Sequence, residues 1–171
     1  EGVAVGWSTS ILPRKLKDLI VATQDAIKGN KPKLLKPHYE NYDIDIKHLG
    51  GNQWEFSGKA EIVDTSTVHI SELPPGLSID KFNALLTAME ERDQIVSYTE
   101  GSTDVIDITI KFKRGALKGW TAQNAIDFFK IKEKVTERIT VIDWGGETIK
   151  TYDNAEDVVT AFVNWRLALY E

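Results

Sequence analysis

The sequence predicts an α+β fold, a mostly antiparallel (mixed) sheet of about five to seven strands flanked by helices, with a C-terminal helix projecting away. Three observations lead there. Gly50-Gly51, Asp64-Thr65 and Gly145-Gly146 sit between runs of alternating apolar residues, where hairpin turns belong. Several segments between and after these runs repeat apolar residues at helical spacing. Strand–helix–strand units do not recur in series, which argues against a doubly wound parallel sheet.

The elements follow in order. Pro13 suits the first turn of a helix, and Leu16, Leu19, Ile20, Thr23 and Ile27 continue it to Lys28, with Gly29 as its stop. Residues 29–41 hold two prolines and three lysines and read as an irregular connection. Strands are expected at about 42–49, 52–63 and 65–73, with Trp54, Phe56, Ala60, Ile62, Val68 and Ile70 facing the core. Ser78 caps a second helix reaching Arg92, whose inner face carries Phe82, Leu85, Leu86 and Met89. Ile95, Val96 and Tyr98 form a short strand, and Glu100-Gly101-Ser102 turns it into a long one over residues 105–112. A third helix spans about 121–130, and a lysine-rich connection at 130–134 leads to a strand over 138–144. Residues 148–152 pair back on it. The last helix starts at Asn154, capped by Asp153 or Asn154, with Glu156 and Asp157 complementing the helix dipole.

At 171 residues the chain is one domain with room for an appendage, and its 42% hydrophobic and 27% charged content is ordinary for a soluble globular protein. No apolar run approaches the roughly 18 residues of a membrane span, and no signal-peptide pattern opens it, so an intracellular, cytoplasmic place is expected. Zero cysteines exclude disulfides and thiolate metal sites. The first residue is Glu rather than Met, and the last helix reaches Glu171 without a cap. An excised piece of a longer chain is therefore expected.

The net charge of −5 argues against a nucleic-acid partner if taken whole. By segment it alternates: +4 over residues 1–38, −10 over 39–110, +5 over 111–138 and −4 over 139–171. If the fold joins the two basic blocks, one face can meet phosphate; otherwise they are solvated surface.

Candidate catalytic groups are scarce. His38, His48 and His69 lack the short-spaced partners a metal site needs. Glu72 has no titratable partner nearby in sequence and reads as structural. Asp104 and Asp107, three apart on the expected strand, face opposite sides and cannot share a proton or a metal. FKRGALKG lacks the spacing of a Walker phosphate loop.

The opening residues, EGVAVGWSTSILPR, leave two readings open. Val3 and Val5 can begin a buried strand, with Gly6 at a bulge. Alternatively, the glycines hold up one β-branched side chain as a wedge, as DNA-kinking proteins do when they push apolar side chains between base steps.

This stretch resembles the EGIGTGWS…IP run of type IIA DNA topoisomerases, matching at Glu1, Gly2, Gly6, Trp7, Ser8, Ile11 and, one residue late, Pro13. Ala4 and Val5 depart from the eukaryotic glycine and threonine, and the AVG is closer to the gyrase A protein. Three further motifs lie in the same order as in the family. ISELPPG is similar to its ITELP run, FFKIKEKVTERITVIDWGGETIKTY to a second segment, and Phe162, Arg166, Leu167 and Tyr170 to its F–x–x–x–R–L–x–x–Y. The short connections resemble those of the bacteriophage branch.

The resemblance implies a tower-like domain over 1–171. Residues 1–13 would end the winged-helix part as a DNA wedge loop, and 154–171 would begin the coiled-coil helix. It implies a DNA-binding set of Val3, in place of the family's intercalating isoleucine, with Arg14, Lys15, Lys17, Lys113 and Arg114 as phosphate contacts. The partners implied are the double-stranded gate segment and other topoisomerase subunits, with no membrane. The parent would be an ATP-hydrolysing DNA topoisomerase using Mg2+ and ATP. This piece alone would hold no cofactor and catalyse nothing, because the nucleophilic tyrosine and the metal-binding domain lie elsewhere. A monomer or weak dimer is expected. The reading from another class is an α/β domain that binds a protein or small ligand and has no DNA role. A hydrolase is disfavoured, since no carboxylate pair has usable spacing.

Overall fold

A computed structural model describes residues 1–4 and 6–171; Val5, the second valine of the opening stretch, lies outside the described residues. The chain divides into two compact units: Glu1–Glu40, His48–Trp54 and Val135–Glu171 in the first, Asn41–Lys47 and Glu55–Lys134 in the second. The described strands form four small sheets, not one of five to seven. Strand β3 (Asp45–Gly50), β4 (Gln53–Ser57) and β9 (Lys132–Thr136) make a three-stranded sheet in the order β3-β4-β9.

The second unit is built on β5 (Lys59–Asp64), β6 (Thr67–Glu72), β7 (Ser97–Glu100) and β8 (Ile108–Lys111), ordered β5-β6-β8-β7 and antiparallel throughout. The register sets Val68 opposite Ile110 and Ile70 opposite Ile108, and all four are fully buried. Helices α2 (Ile79–Glu91) and α3 (Ala122–Phe129) drive Phe82, Leu86, Met89, Ala125, Ile126 and Phe129 into the same core. Phe112 lies at its centre, its ring 5.8–5.9 Å from those of Trp120, Phe128 and Phe129. Both helices are well started. Ser78 Oγ accepts from the Lys81 amide, and Thr121 and Asn124 form a capping box.

Several expectations are corrected here. The run 52–63 is two strands, because the chain breaks step at Gly58. A Cβ there would stand 2.3 Å from the Glu72 carbonyl oxygen, so only glycine allows this approach. The long strand over 105–112 shortens to β8. Ser102 Oγ accepts from the Asp107 amide and the Gly101 amide donates to the Asp107 carbonyl, closing a loop that leaves Val105 exposed. The connection at 130–134 is largely strand β9, since Ile131 is fully buried and Lys130 turns the helix end in a left-handed conformation. Leu85 lies at the surface rather than on the inner face.

The first unit contains hairpin β1 (Gly2–Ala4) and β2 (Trp7–Thr9), helix α1 (Leu16–Ile27), hairpin β10 (Ile139–Ile142) and β11 (Ile149–Tyr152), and helix α4 (Ala155–Ala168). Its core joins Ala22, Leu35, Ile139 and Ala155, with Leu19, Tyr152, Val158 and Val159 around them. Helix α1 packs on this core through Ala22 and Leu19, whereas Leu16, Ile20 and Ile27 of its apolar repeat are exposed. Asn154 caps α4 by accepting from the Asp157 amide. Glu156, expected as a dipole partner, is buried and also accepts the Leu35 amide at 2.6 Å, fixing the connection 29–41. Val163 is buried, whereas Leu167, Leu169 and Tyr170 at the far end of α4 are exposed.

Gly58→Ala should leave the fold recognisable but cost about 1–3 kcal/mol, the usual range for overpacking. A urea midpoint equal to that of the unchanged chain would show that β4 and β5 can part without penalty.

Candidate nucleic-acid interface

The β1–β2 hairpin is three residues long on each side: Gly2 faces Thr9, Val3 faces Ser8 and Ala4 faces Trp7. Gly6, at φ +79°, takes the left-handed turn position that favours glycine. Val3 is 85% exposed and Trp7 49% exposed, so the hairpin contributes neither to the core. The buried-strand reading of Val3 is thereby excluded. Its Val5 half lies outside the described residues. A shallow apolar groove runs beside the hairpin, lined by Val3, Trp7, Val141, Ile142 and Ile149.

So exposed a hairpin must be held from its base. The Ser10 amide donates to the Arg138 carbonyl at 2.8 Å, and the Arg138 amide returns to the Ser10 carbonyl at 2.9 Å. Thr9 Oγ1 donates to the same Arg138 carbonyl, and Arg138 Nη1 donates to Ser8 Oγ at 3.1 Å.

One residue before Arg138, the chain turns a carboxylate inward. Glu137 is 1% exposed and accepts from the Leu12 amide (3.0 Å), from Trp54 Nε1 (3.0 Å) and from both arms of the Arg14 guanidinium. Arg14, 4% exposed, also donates from Nη1 to the Leu12 carbonyl and from Nε to the Leu35 carbonyl. Burial alone would push the Glu137 carboxyl up; the Arg14 guanidinium and the Leu12 amide outweigh it and hold the carboxyl below its ordinary 4.5.

The expected phosphate contacts divide. Arg14 offers no free cation, because its guanidinium is buried and committed to Glu137, Leu12 and Leu35. Lys15 stands at the N-cap of α1 and Lys17 in its first turn; both are exposed and, among the described residues, unpaired. Lys113 and Arg114 belong to the second unit, on the glycine-containing turn after β8. Lys113 pairs with Asp93 at 2.5 Å at the surface, and Arg114 has no ion-pair partner among the described residues. Sequence reasoning missed Glu137 and Arg138. Their only signal is an adjacent acid and base in KVTERIT, in the extended junction between β9 and β10, where neighbours face opposite sides.

The other acid and histidine readings are structural. Glu72 accepts the Asp43 and Leu73 amides, and His69, without a metal-site partner in sequence, pairs with Asp107 at 2.7 Å. Among the described residues no group of three or more His, Asp or Glu side chains is placed to hold a metal ion.

The family model for the DNA gyrase/topoisomerase IV A protein matches residues 1–171. The chain belongs to this family. Among its relatives, DNA topoisomerase 2-alpha of Gallus gallus and DNA topoisomerase 2-beta of Homo sapiens are each 25% identical over 177 residues. Each alignment covers 99% of this chain and 11% of the relative. A solved structure, the Plasmodium falciparum topoisomerase II DNA-binding, cleavage and re-ligation domain, superposes with a TM-score of 0.85 at 25% identity. That superposition covers 99% of this chain and 24% of the solved one. The chain thus spans a small part of the topoisomerase relatives it matches.

Glu137 gives this gyrase/topoisomerase IV family member a defined acid response. Its carboxyl is depressed in the folded state, so its contribution is complete above 4.5 and fades as pH falls through the folded value. Glu137→Gln strands a buried guanidinium and should cost about 3–5 kcal/mol at neutral pH. The gap to the unchanged chain should narrow on acidification below 4.5, read from urea unfolding across pH. A gap constant with pH would refute the assignment.

Proposed function

We propose that this chain is the tower portion of the DNA-cleaving part of a type IIA topoisomerase, gripping and bending the gate duplex during double-strand breakage, passage and rejoining. The observation that carries the reading is an apolar side chain held out from a hairpin pinned at its base: Val3, 85% exposed. Membership of the gyrase/topoisomerase IV family supports the same reading. Wedges of this kind unstack one base step and let bent DNA wrap more protein. Lys15, Lys17, Lys113, Arg114 and the newly found Arg138 are the cations offered to phosphate. Lys113 would first release Asp93, a surface pair worth little. Arg14 is not counted among them.

The partners under this reading are duplex DNA and the remaining subunits of a topoisomerase. The finer source is the medium subunit of a T-even bacteriophage enzyme, which would place the protein in the host cytoplasm. No helix among the described residues is long and apolar enough to cross a membrane. Mg2+ and ATP belong to other parts of the parent enzyme. The described residues do not fit either group: they hold no carboxylate cluster for the metal and no phosphate loop for the nucleotide. This chain acts by shaping DNA, and the covalent steps are left to the rest of the enzyme.

In the intact enzyme, Val3→Ala should reduce DNA bending and cleavage while the salt dependence of binding stays put. The lost apolar contact is worth about 1–2 kcal/mol at roughly 0.8 kcal/mol per methylene. Energy transfer between labelled duplex ends measures the bend, and full bending by the variant would end the wedge reading. Arg138→Gln should weaken binding evenly across sequences and lower the slope of log K against log salt by about one. An unchanged slope would remove Arg138 from the phosphate contacts.

A further inference from the structure

We propose that Glu137 and Arg14 are positioning residues for the Val3 hairpin: they touch no DNA but set the attitude at which the wedge is presented. This rests on the wedge reading above. The hairpin leaves Val3 and Trp7 exposed, pairs three residues per strand and touches β10 through β2. Its attitude is further set by the segment that leaves it, residues 10–14, where both backbone groups of Ser10 and of Leu12 and the carbonyl of Pro13 are hydrogen-bonded.

Ser10 is bridged through both its backbone groups to Arg138. Leu12 gives its amide to Glu137 Oε2 and its carbonyl takes Arg14 Nη1. Pro13, which has no amide to give, accepts the His38 amide at its carbonyl. Arg14 then folds back on the segment, forking onto Glu137 while its Nε holds Leu35. Leu12 is thus gripped at both its amide and its carbonyl by a single ion pair. Glu137 and Arg138 are consecutive in an extended stretch, so one faces inward to Leu12 and Arg14 while the other faces outward to Ser8. Two adjacent side chains therefore hold the hairpin from both sides of its root.

A purely stabilising pair would be replaceable. Buried ion pairs exchanged together for apolar residues of similar size often leave stability unchanged or higher. The double variant Arg14→Met with Glu137→Met keeps the interior filled but leaves the Leu12 amide and Trp54 Nε1 without their acceptor and the Leu12 and Leu35 carbonyls without the guanidinium. Bend is therefore read per bound duplex, apart from stability.

The test compares the intact topoisomerase with Val3→Ala, the double variant and Arg14→Lys, which keeps the charge but not the fork. Thermal unfolding, duplex affinity and end-to-end energy transfer per bound duplex are measured on each. In the double variant the bend per bound duplex should fall to the level of Val3→Ala with affinity retained, while the melting temperature falls because the polar partners of the pair are left unsatisfied. Arg14→Lys should show a partial loss of bend. A double variant that folds and bends DNA as the unchanged enzyme does would overturn the proposal. If it fails to fold, Arg14→Lys decides: full bending overturns the proposal, reduced bending at unchanged affinity supports it. Val3→Ala keeps the two ideas apart. Should it bend DNA normally, the wedge reading fails and takes the positioning role with it. Should it be defective while both pair variants bend normally, the positioning role alone fails.

Discussion

One buried carboxylate governs the first unit. Removing a charge from water costs several kcal/mol even after relaxation, and the cost is met only when every lone pair finds a donor. Glu137 finds four, from Leu12, Trp54 and the two arms of Arg14. Arg14 in turn commits further donors to the Leu12 and Leu35 carbonyls. Because the network is closed, its members cannot be chosen independently. The approach to α1, the loop before β3, the start of β4 and the entry to β10 are fixed together by one pair of side chains. Directional bonds do here what apolar packing does elsewhere, which suits a region whose most prominent side chains point into solvent.

The second unit solves the same problem by other means. Its sheet and two helices enclose an apolar core in which Val68, Ile70, Phe82, Leu86, Ile108, Ile110 and Phe129 are fully buried. Among the described residues its ion pairs, Lys59–Asp43, Lys113–Asp93 and Lys132–Asp127, and the His69–Asp107 hydrogen bond lie at the surface, where such pairs contribute little. The division matches the proposed roles. A conventionally packed body needs no polar network, whereas a projecting tool needs an anchorage with direction.

Much of this was legible in the sequence, and the misses share a cause. Helix starts at Ser78, Thr121 and Asn154 and the Gly-Gly hairpins could be read because capping and turn chemistry are local. The break at Gly58 could not, since it depends on the Glu72 carbonyl fourteen residues on. Along α1 the apolar repeat runs through Leu16, Leu19 and Ile20, yet the residue buried in the core is Ala22, beside the partly buried Leu19, because the partners that choose the face are distant in sequence. Within the candidate site Val3 could be singled out through its neighbours in the motif, and its side chain is exposed. Arg14 was placed correctly on the chain and given a different task, because its partner lies 123 residues away. Glu137 leaves no periodic or motif signature at all; a lone acid between a lysine-rich run and a strand reads as surface until the fold closes over it.

The anchorage also decides where a push on the wedge is felt. The Ser10–Arg138 bridge joins the hairpin to the residue that leads into β10. Strand β10 is zipped to β11 from Ile139–Tyr152 through Ile142–Ile149, and β11 is followed within two residues by the Asn154 cap of α4. Trp144, at the hairpin's far turn, stands 5.6 Å from the ring of Phe162 and 6.0 Å from that of Trp165, bracing the turn against the helix. Under the wedge reading, load taken up at Val3 would have a short route into α4, bonded at the hairpin root and braced by aromatic rings at the far turn.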